Sequence, residues 1–360
     1  MIDFTLDPEL EVLRETARSF AQQRLRTHDR DFESARGVDA ATRSAFLEIG
    51  LAAVEWPESL GGAALGAFAA SLVLEELAAA DAGAALALDP LGPAFHALAE
   101  CADAAALCEL AQPLLDRSGA RAVLGWNGAG RIALQSGRAT GVLPWVPAGR
   151  VDLLVLLDSD GIAVIDQGIA LQSLRGAGLR AAGASELRLD QAPVRAWWLN
   201  PAGARRALAR ARLHAASLLV GVMRAATEFS RDYAMQRIAF GKPIAHHQAL
   251  AFLLVDMAMA VEGSRLLVHE AAARVDRGDD AAEACATAFL EAAEQAMFVT
   301  PNAVQVLGGH GFMQDYPVEK WMREARALGL LFGGVDAARE DAGATIVADA
   351  EPIALAGAGA

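Results

Sequence analysis

Hydrophobic and polar positions follow three different patterns along the 360-residue chain. Over residues 1–112 the apolar side chains recur every three or four positions, which predicts amphipathic helices. Over 113–200 they form short runs and alternations bounded by Gly, Pro, Asp and Ser, which is typical of β-strands. From residue 201 onward the helical period returns and persists. The chain therefore divides into a helical block, a strand block and a second helical block.

Individual segments of each block give more specific predictions. In the first block a helix is expected over 71–80, after the turn-rich segment 56–62. In the second block strands are expected over 151–158, 161–165 and 186–189. In the third block long helices are expected over 204–236, 245–277 and 280–305. A break at 240–243 separates the first two long helices, and the glycines of 308–311 end the third.

The order of these elements predicts an α+β fold. Its parts are an N-terminal all-α domain (1–112), a small middle β-domain (113–200), a C-terminal four-helix bundle (201–345) and a tail (346–360). The middle block is small for a self-standing β-domain.

Charge and composition exclude several classes of function. The formal net charge is −14 and no basic stripe is present, which argues against nucleic acid as a partner. The cysteines, Cys101, Cys108 and Cys285, are too few and too scattered for a disulfide framework or a zinc site. No apolar stretch is long enough for a membrane span, and the N-terminus has no apolar signal region. A cytoplasmic location without bound metal is therefore expected.

Residues of the third block are suited to a phosphate or a ribose, with a surface Arg and helix-ending glycines as the alternative interpretation. Arg237 offers a fixed fork of donors that matches a pyrophosphate. Gln248, in the following helix, can bond to phosphate or ribose. Gly308 and Gly309 would let backbone amides approach a planar ring or a phosphate more closely than a side chain permits.

Motifs along the whole chain, taken in order, resemble the acyl-CoA dehydrogenase family. The first block contains EIGL, WPESLGG and LEEL, at 48–51, 56–62 and 74–77. The third block contains RIAFGKPI with Gln248, then VDM, QVLGGHGF and YPVEKWMREAR, at 237–244, 255–257, 305–312 and 316–326. Each motif alone is weak, but so many in the right order are specific, and they are densest from 210 to 334.

The resemblance implies FAD as cofactor, an acyl-CoA substrate, α,β-dehydrogenation and an electron-transfer acceptor. It implies that the ADP half of an FAD belonging largely to the neighbouring subunit contacts Arg237, Phe240, Gln248, Gln305, Gly308 and Gly309. Arg212 matches an Arg that the family has beside the acyl-CoA site, with a structural ion pair as the alternative role.

The sequence departs from the family where the chemistry takes place. Such a dehydrogenase removes an α-proton with a Glu base while the β-hydride goes to the flavin. Phe332 occupies the usual position of that Glu, and Ala211 occupies the position that a smaller set of members uses. Pro147 stands where a Thr or Ser contacts the flavin ring, and proline has neither a hydroxyl nor an N–H. The family's TEP..GSD loop has no counterpart, because 125–130 reads GWNGAG.

Three hypotheses of function remain open. The chain retains the residues that in the family contact the neighbour's FAD, and it lacks those that hold its own flavin ring and perform the chemistry. This asymmetry favours the first hypothesis, in which the chain is the base-less partner of a Glu-bearing subunit. Such heteromeric acyl-CoA dehydrogenases occur in bacterial degradation of steroid side chains. The second hypothesis is a homo-oligomeric oxidase or oxygenase whose base is His310, Asp315 or Glu319. The third is a non-catalytic acyl-CoA- or protein-binding scaffold without flavin.

Overall fold

The computed structural model describes residues 5–349. The helices before the strands are α1 (Pro8–Phe20), α2 (Asp29–Ala35), α3 (Ala40–Glu48), α4 (Gly66–Leu88), α5 (Pro93–Cys101) and α6 (Ala104–Leu115). The strands that follow are β1 (Ala122–Trp126), β2 (Ile132–Gln135), β3 (Arg138–Val146), β4 (Leu153–Asp158), β5 (Gly161–Ile165), β6 (Ile169–Ser173), β7 (Ser185–Pro193) and β8 (Ala196–Leu199). The second helical part contains α7 (Pro201–Gln236), the hairpin strands β9 (Ile238–Ala239) and β10 (Lys242–Pro243), α8 (Gln248–Arg277), α9 (Ala282–Leu307), α10 (Val318–Leu328) and α11 (Gly334–Asp349).

This order of helices, strands and helices confirms the predicted α+β fold class. Several element ends differ from the sequence-based expectation. Helix α4 extends well beyond 71–80 in both directions, and α6 ends three residues beyond 112. The tail predicted from residue 346 begins too early, because α11 continues to Asp349. The rest of that predicted tail, 350–360, lies outside the described residues.

The strands form two four-stranded sheets within the described residues. One sheet has the order β1-β4-β5-β8, with β1 and β4 parallel and the other pairs antiparallel. The other has the order β2-β3-β7-β6 and is antiparallel throughout. A separate apolar core lies within this part of the chain and includes Leu143, Leu154, Leu156, Ile165 and Leu187.

Helix α7 is the centre of the helical core. It packs against α4, α5, α8 and α9, and a continuous run of its residues from Ala211 to Met223 is buried. Small residues allow these close contacts: a Cβ added at Gly221 would lie 2.2 Å from the carbonyl oxygen of Glu75 in α4. Because α4 and α7 are in direct contact, the N-terminal helices and the C-terminal bundle share one hydrophobic core.

Helix α4 bends at Asp81, whose backbone leaves the helical region (φ −159°, ψ 103°). The Asp81 side chain accepts a hydrogen bond from Ala84 N–H (2.9 Å) and so caps the second half of the helix. It also lies 3.1 Å from Nζ of Lys320, a fully buried lysine of α10 that bonds to Glu324 at 2.6 Å. A buried charge cluster therefore joins the bend of α4 to the bundle.

Candidate functional site

The residues expected to contact a dinucleotide lie at the edge of the bundle where α7 ends, α8 begins and α9 ends. Arg237 follows α7, and its carbonyl oxygen accepts from Ile244 N–H (2.8 Å), which closes the β9–β10 hairpin. Gln248, four residues after Ile244, is the first residue of α8. Gln305 lies in the last turn of α9, and Gly308 then reverses the chain with a positive φ of 58°.

One hydrogen bond joins the two parts of this edge. The hydroxyl of Tyr233, one turn before Arg237, lies 2.9 Å from Nδ1 of His310 in the glycine turn. The carbonyl oxygen of Tyr233 also accepts from Arg237 N–H (2.8 Å). The structure therefore brings the Arg237 segment and the Gly308–Gly309 turn together through Tyr233.

All six of these predicted positions are exposed on the single chain. Phe240 is 96% exposed at the hairpin tip and, like Gly241, has a positive φ, as a two-residue type I′ turn requires. A left-handed phenylalanine is strained, and this one has almost no contact within the single chain to offset the strain. A Cβ added at Gly308 or Gly309 would meet no atom within 4 Å, so the space beside the glycine turn is open.

An apolar face runs along α8 from the same edge. Phe252, Val255, Met259 and Leu266 are all at least half exposed, and their spacing places them on one side of the helix. Phe312, just beyond the glycine turn, is 73% exposed. A contiguous apolar surface of this kind is typical of a contact between protein chains.

The region where a flavin ring and a catalytic base are expected has little free space. Phe332, at the usual Glu position, is 8% exposed and lines a small cavity of about 40 Å³. Pro147 and His214 line the same cavity. A space of this size admits a few water molecules, whereas pockets for drug-sized ligands measure roughly 300–1,000 Å³. The residues present do not fit a flavin ring, and Ala211, the alternative base position, is fully buried in α7.

The turn after β1 further limits this space. Asn127 is buried, and its side chain donates to Ile132 O (3.0 Å) and accepts from Ile132 N–H (2.9 Å), which locks a tight β1–β2 connection. Trp126 packs on Gly333, the neighbour of Phe332, because a Cβ added at Gly333 would lie 2.9 Å from the Trp126 ring. The Trp126 indole therefore contacts the loop of Phe332 and Gly333, where the family usually has its Glu base.

Arg212 forms an ion pair and also lines an open cleft. Its Nη1 donates to Asp341 Oδ2 of α11 (2.6 Å), while its buried Nε and Nη2 have no hydrogen-bond partner among residues 5–349. The cleft measures about 860 Å³ and includes Arg205, Asp158 and Asp280 in its lining. The pair with Asp341 is the structural role expected for Arg212. The remaining donors of Arg212 leave a contact with substrate open as well.

The buried histidines next to the small cavity are neutral at pH 7. Burial, followed by the nearby His96 ring, lowers the pKa of His214 to about 3. Burial also lowers the pKa of His96 well below its ordinary value. His96 Nε2 lies 3.6 Å from Glu55 Oε2, which is too long for a hydrogen bond, and a neutral imidazole forms no ion pair there.

Replacing His214 with leucine is expected to make the protein less sensitive to acid. Because the folded-state pKa of His214 is below the unfolded value near 6.5, its contribution to stability is present above pH 6.5 and is lost as the pH falls toward 3. Between pH 7 and pH 5 that loss is about 2 kcal/mol. Urea unfolding at both pH values should show the variant losing less stability than the parent. The exposed His246→Leu is the control, and an equal loss in all three proteins would contradict this.

The side chains considered as alternative bases have other contacts. Glu319 pairs with Arg30 (2.7 Å) and Arg323 (2.7 Å), and His310 has its Nδ1 bonded to Tyr233. Asp315 is exposed and does not line the small cavity beside Phe332. Sequence reasoning did not identify Tyr233 as part of the site, because it lies four residues before the motif that begins at Arg237; of the two tyrosines in the chain only Tyr316 lies within a motif.

Known proteins match nearly the whole chain. Family models for acyl-CoA dehydrogenases match twice: the N-terminal domain over residues 7–104 and the C-terminal domain over residues 202–346. A Mycobacterium leprae protein described as probable acyl-CoA dehydrogenase fadE25 is 30% identical over 358 residues, covering 90% of this chain and 91% of that protein.

Solved structures share the fold. Butyryl-CoA dehydrogenase from Megasphaera elsdenii has a TM-score of 0.85 at 23% identity, covering 96% of this chain and 100% of that chain. A G363A variant of the Tcur3481-Tcur3483 steroid ACAD has a TM-score of 0.84 at 25% identity, covering 96% and 99% of the two chains.

Fold and relatives together place the chain among the flavin-dependent oxidoreductases. It belongs to the acyl-CoA dehydrogenase family, whose members are FAD-dependent flavoproteins. The family and the fold support acyl-CoA dehydrogenation as the class of reaction. Between residues 5 and 349, no helix is both long enough and apolar enough to cross a membrane.

Proposed function

We propose that this chain is the base-less subunit of an acyl-CoA dehydrogenase assembled from two different subunits. It completes the FAD site of a homologous partner that carries the Glu base. The proposal rests on the contrast between two halves of the candidate site in this chain. The half that would hold a flavin ring and a base has little free space, while the half that would contact a neighbour's FAD is exposed.

The half with little free space supports the absence of independent catalysis. Phe332 and Ala211 provide no carboxylate to take an α-proton, since a general base must reach the proton it removes. Pro147 has no N–H or hydroxyl to bond to a flavin ring, and the adjoining cavity is about 40 Å³. An acyl thioester and a flavin ring therefore lack room to stack at this position.

The exposed half supports a role in binding the partner's cofactor. Arg237 and the glycine turn present donors suited to a pyrophosphate, and FAD bound there would supply hydride acceptance at the partner's ring site. His247 makes no side-chain cap for α8, so the first N–H groups of this helix remain favourable for a phosphate. The apolar face of α8 gives the partner a surface to cover.

A solved relative supports the assembly and the substrate class. The steroid ACAD with 25% identity to this chain carries a designation that joins two components, Tcur3481 and Tcur3483. We extend this arrangement to the present chain, with an acyl-CoA as substrate and a steroid or other lipid side chain as its acyl group.

Co-expression tests the proposed function directly. The chain alone is expected to purify without FAD. It should not reduce an electron-accepting dye when an acyl-CoA is added. With a homologue that carries the Glu, it should form a yellow complex that reduces the dye. A yellow, FAD-loaded protein from the chain alone would count against two-subunit assembly.

Replacing Arg237 with alanine in the assembled pair is expected to weaken FAD binding by about 10- to 100-fold. The loss follows from removing a charge-assisted hydrogen bond. Arg231→Ala is the matched control, because Arg231 is exposed near the end of the preceding helix α7 and pairs with its neighbour Asp232. Equal FAD affinity in the two variants would show that this edge does not hold the cofactor.

A further inference from the structure

His310 is held in place by the only two tyrosines of the chain. The Tyr233 hydroxyl lies 2.9 Å from its Nδ1, and the Tyr316 ring stacks on the imidazole at 5.2 Å with an interplanar angle of 27°. The two tyrosine rings also meet edge to face at 6.1 Å. An imidazole with these contacts has one preferred orientation before any ligand binds.

The tyrosines are themselves fixed by the core. The carbonyl oxygen of Tyr316 accepts from Arg30 Nη2 (2.9 Å), and Phe229 packs edge-on against its ring at 6.4 Å. Phe229 in turn contacts Trp321 of α10 at 6.0 Å. The orientation of His310 is therefore set by packing between α7 and α10 and not by the exposed loop that carries it.

The free nitrogen of His310 is available to a ligand. Nδ1 is bonded to Tyr233, and this is the one hydrogen bond of the His310 ring among the described residues. When the tyrosine hydroxyl donates to Nδ1, the ring proton lies on Nε2, which is then a donor. Gly308 and Gly309, the two residues before His310, border open space.

We infer that His310 is a further cofactor-binding residue whose Nε2–H donates to the pyrophosphate of the FAD at this edge. Tyr233 is its positioning residue. The inference rests on the proposed function, because it deepens the same site. Arg237, the turn amides and His310 would surround the anion from two chain segments. Tyr233 connects those segments through its hydroxyl and its carbonyl oxygen.

The test measures the FAD dissociation constant of the assembled pair with single and double variants. His310→Phe keeps an aromatic ring for Tyr316 but removes the donor, and we expect about tenfold weaker binding. Tyr233→Phe removes one hydroxyl, and we expect about three- to fivefold weaker binding. Added to His310→Phe, Tyr233→Phe should have no further effect, because it acts through the imidazole. Tyr316→Phe keeps the stacked ring and is expected to match the parent.

The outcomes separate this inference from the function on which it rests. Unchanged FAD affinity in His310→Phe, with weaker binding in Arg237→Ala, overturns the role of His310 and leaves the proposed function in place. A further loss from Tyr233→Phe in the His310→Phe background overturns the positioning role. No change in either His310→Phe or Arg237→Ala overturns the proposed function as well. His310→Gln, which retains a donor, is expected to recover part of the affinity and guards against a simple packing defect.

Discussion

Replacing Lys320 with alanine is expected to lower the free energy of unfolding by about 3–5 kcal/mol. Lys320 is fully buried, and its Nζ contacts Glu324 at 2.6 Å and Asp81 at 3.1 Å. Removing the ammonium leaves both buried carboxyl groups without their cation. Breaking a buried pair from one side costs more than the pair itself contributes, because the remaining charge stays desolvated.

The pKa values in this cluster give the effect a pH signature. Burial raises the pKa of Glu324 to about 7, although Lys320 opposes that shift. Burial alone would lower the pKa of Lys320, but Asp81 and Glu324 outweigh it and hold the value above normal. Without the lysine the pKa of Glu324 should rise further. A raised carboxyl pKa favours the folded state at low pH and loses that contribution as the pH rises, so Lys320→Ala should cost more at pH 8 than at pH 5.

Urea unfolding of the parent and the variant at both pH values measures this difference. Lys242→Ala is a matched control, because Lys242 is the other lysine of the chain and lies exposed on the hairpin. It should change stability by less than about 0.5 kcal/mol. Combining Lys320→Met with Asp81→Asn and Glu324→Gln should recover part of the loss. A Lys320→Ala variant with parental stability at pH 8 would show that the cluster does not hold α4 to the bundle.

Local sequence patterns located the long helices but not all of their ends. Helix α7 was expected from 204 and begins at Pro201. The reason is a local cap: Asn200 accepts from Gly203 N–H (2.9 Å), and proline suits the first helical turn. The bend of α4 has no such local signal. It lies in an alanine-rich run that continues the helical pattern, and its partner Lys320 is distant in sequence.

The strands show a similar limit. Strand β5 has the predicted bounds because its short apolar run is buried on both faces. Strand β8 was not predicted. It lies at a sheet edge, exposes Trp197 and Leu199, and shows no alternation of apolar with polar residues. Pairing with β5 decides its structure, and that pairing is not visible in the local sequence.

The candidate site likewise has residues that sequence motifs predicted and features that only the packing determines. Motif order indicated Arg237, Gln248 and the glycine turn, because such motifs occupy consecutive positions. The bond between Tyr233 and His310 joins α7 to the glycine turn after α9, which is far away in sequence, so no local pattern predicted it. The size of the cavity beside Phe332 is likewise a product of packing. It is lined by α4, β1, the segment after β3 and α7, and no single segment determines its volume.

Introducing a carboxylate by Phe332→Glu is expected to leave the lone chain without acyl-CoA dehydrogenation. The base is one of several missing parts. Pro147 cannot donate to a flavin ring, and the space beside Phe332 is about 40 Å³. A base accelerates proton transfer only when the substrate carbon lies within its reach, which this cavity prevents.

The same substitution should destabilise the fold by about 2–4 kcal/mol at pH 8. Phe332 is 8% exposed, so a carboxylate there would be desolvated in a largely apolar setting. Asp89 and Arg121, which have opposite charges, line the same cavity. Phe332→Gln separates the effect of charge from that of shape. The Glu variant should be less stable than the Gln variant at pH 8, and the two should converge at pH 5 as the carboxyl group takes up a proton.

Activity in the assembled pair shows whether Phe332 takes part in turnover. If the working base belongs to the partner, Phe332→Leu should leave turnover of the pair within about twofold of the parent, since apolar exchanges of this kind cost little. Phe332→Glu in the lone chain should show no dye reduction with an acyl-CoA even when FAD is supplied. Measurable dehydrogenation by that lone variant would mean that the ring half of the site is intact and that only the base has been lost. The chain would then be an inactivated homomeric enzyme, and a second type of subunit would not be required.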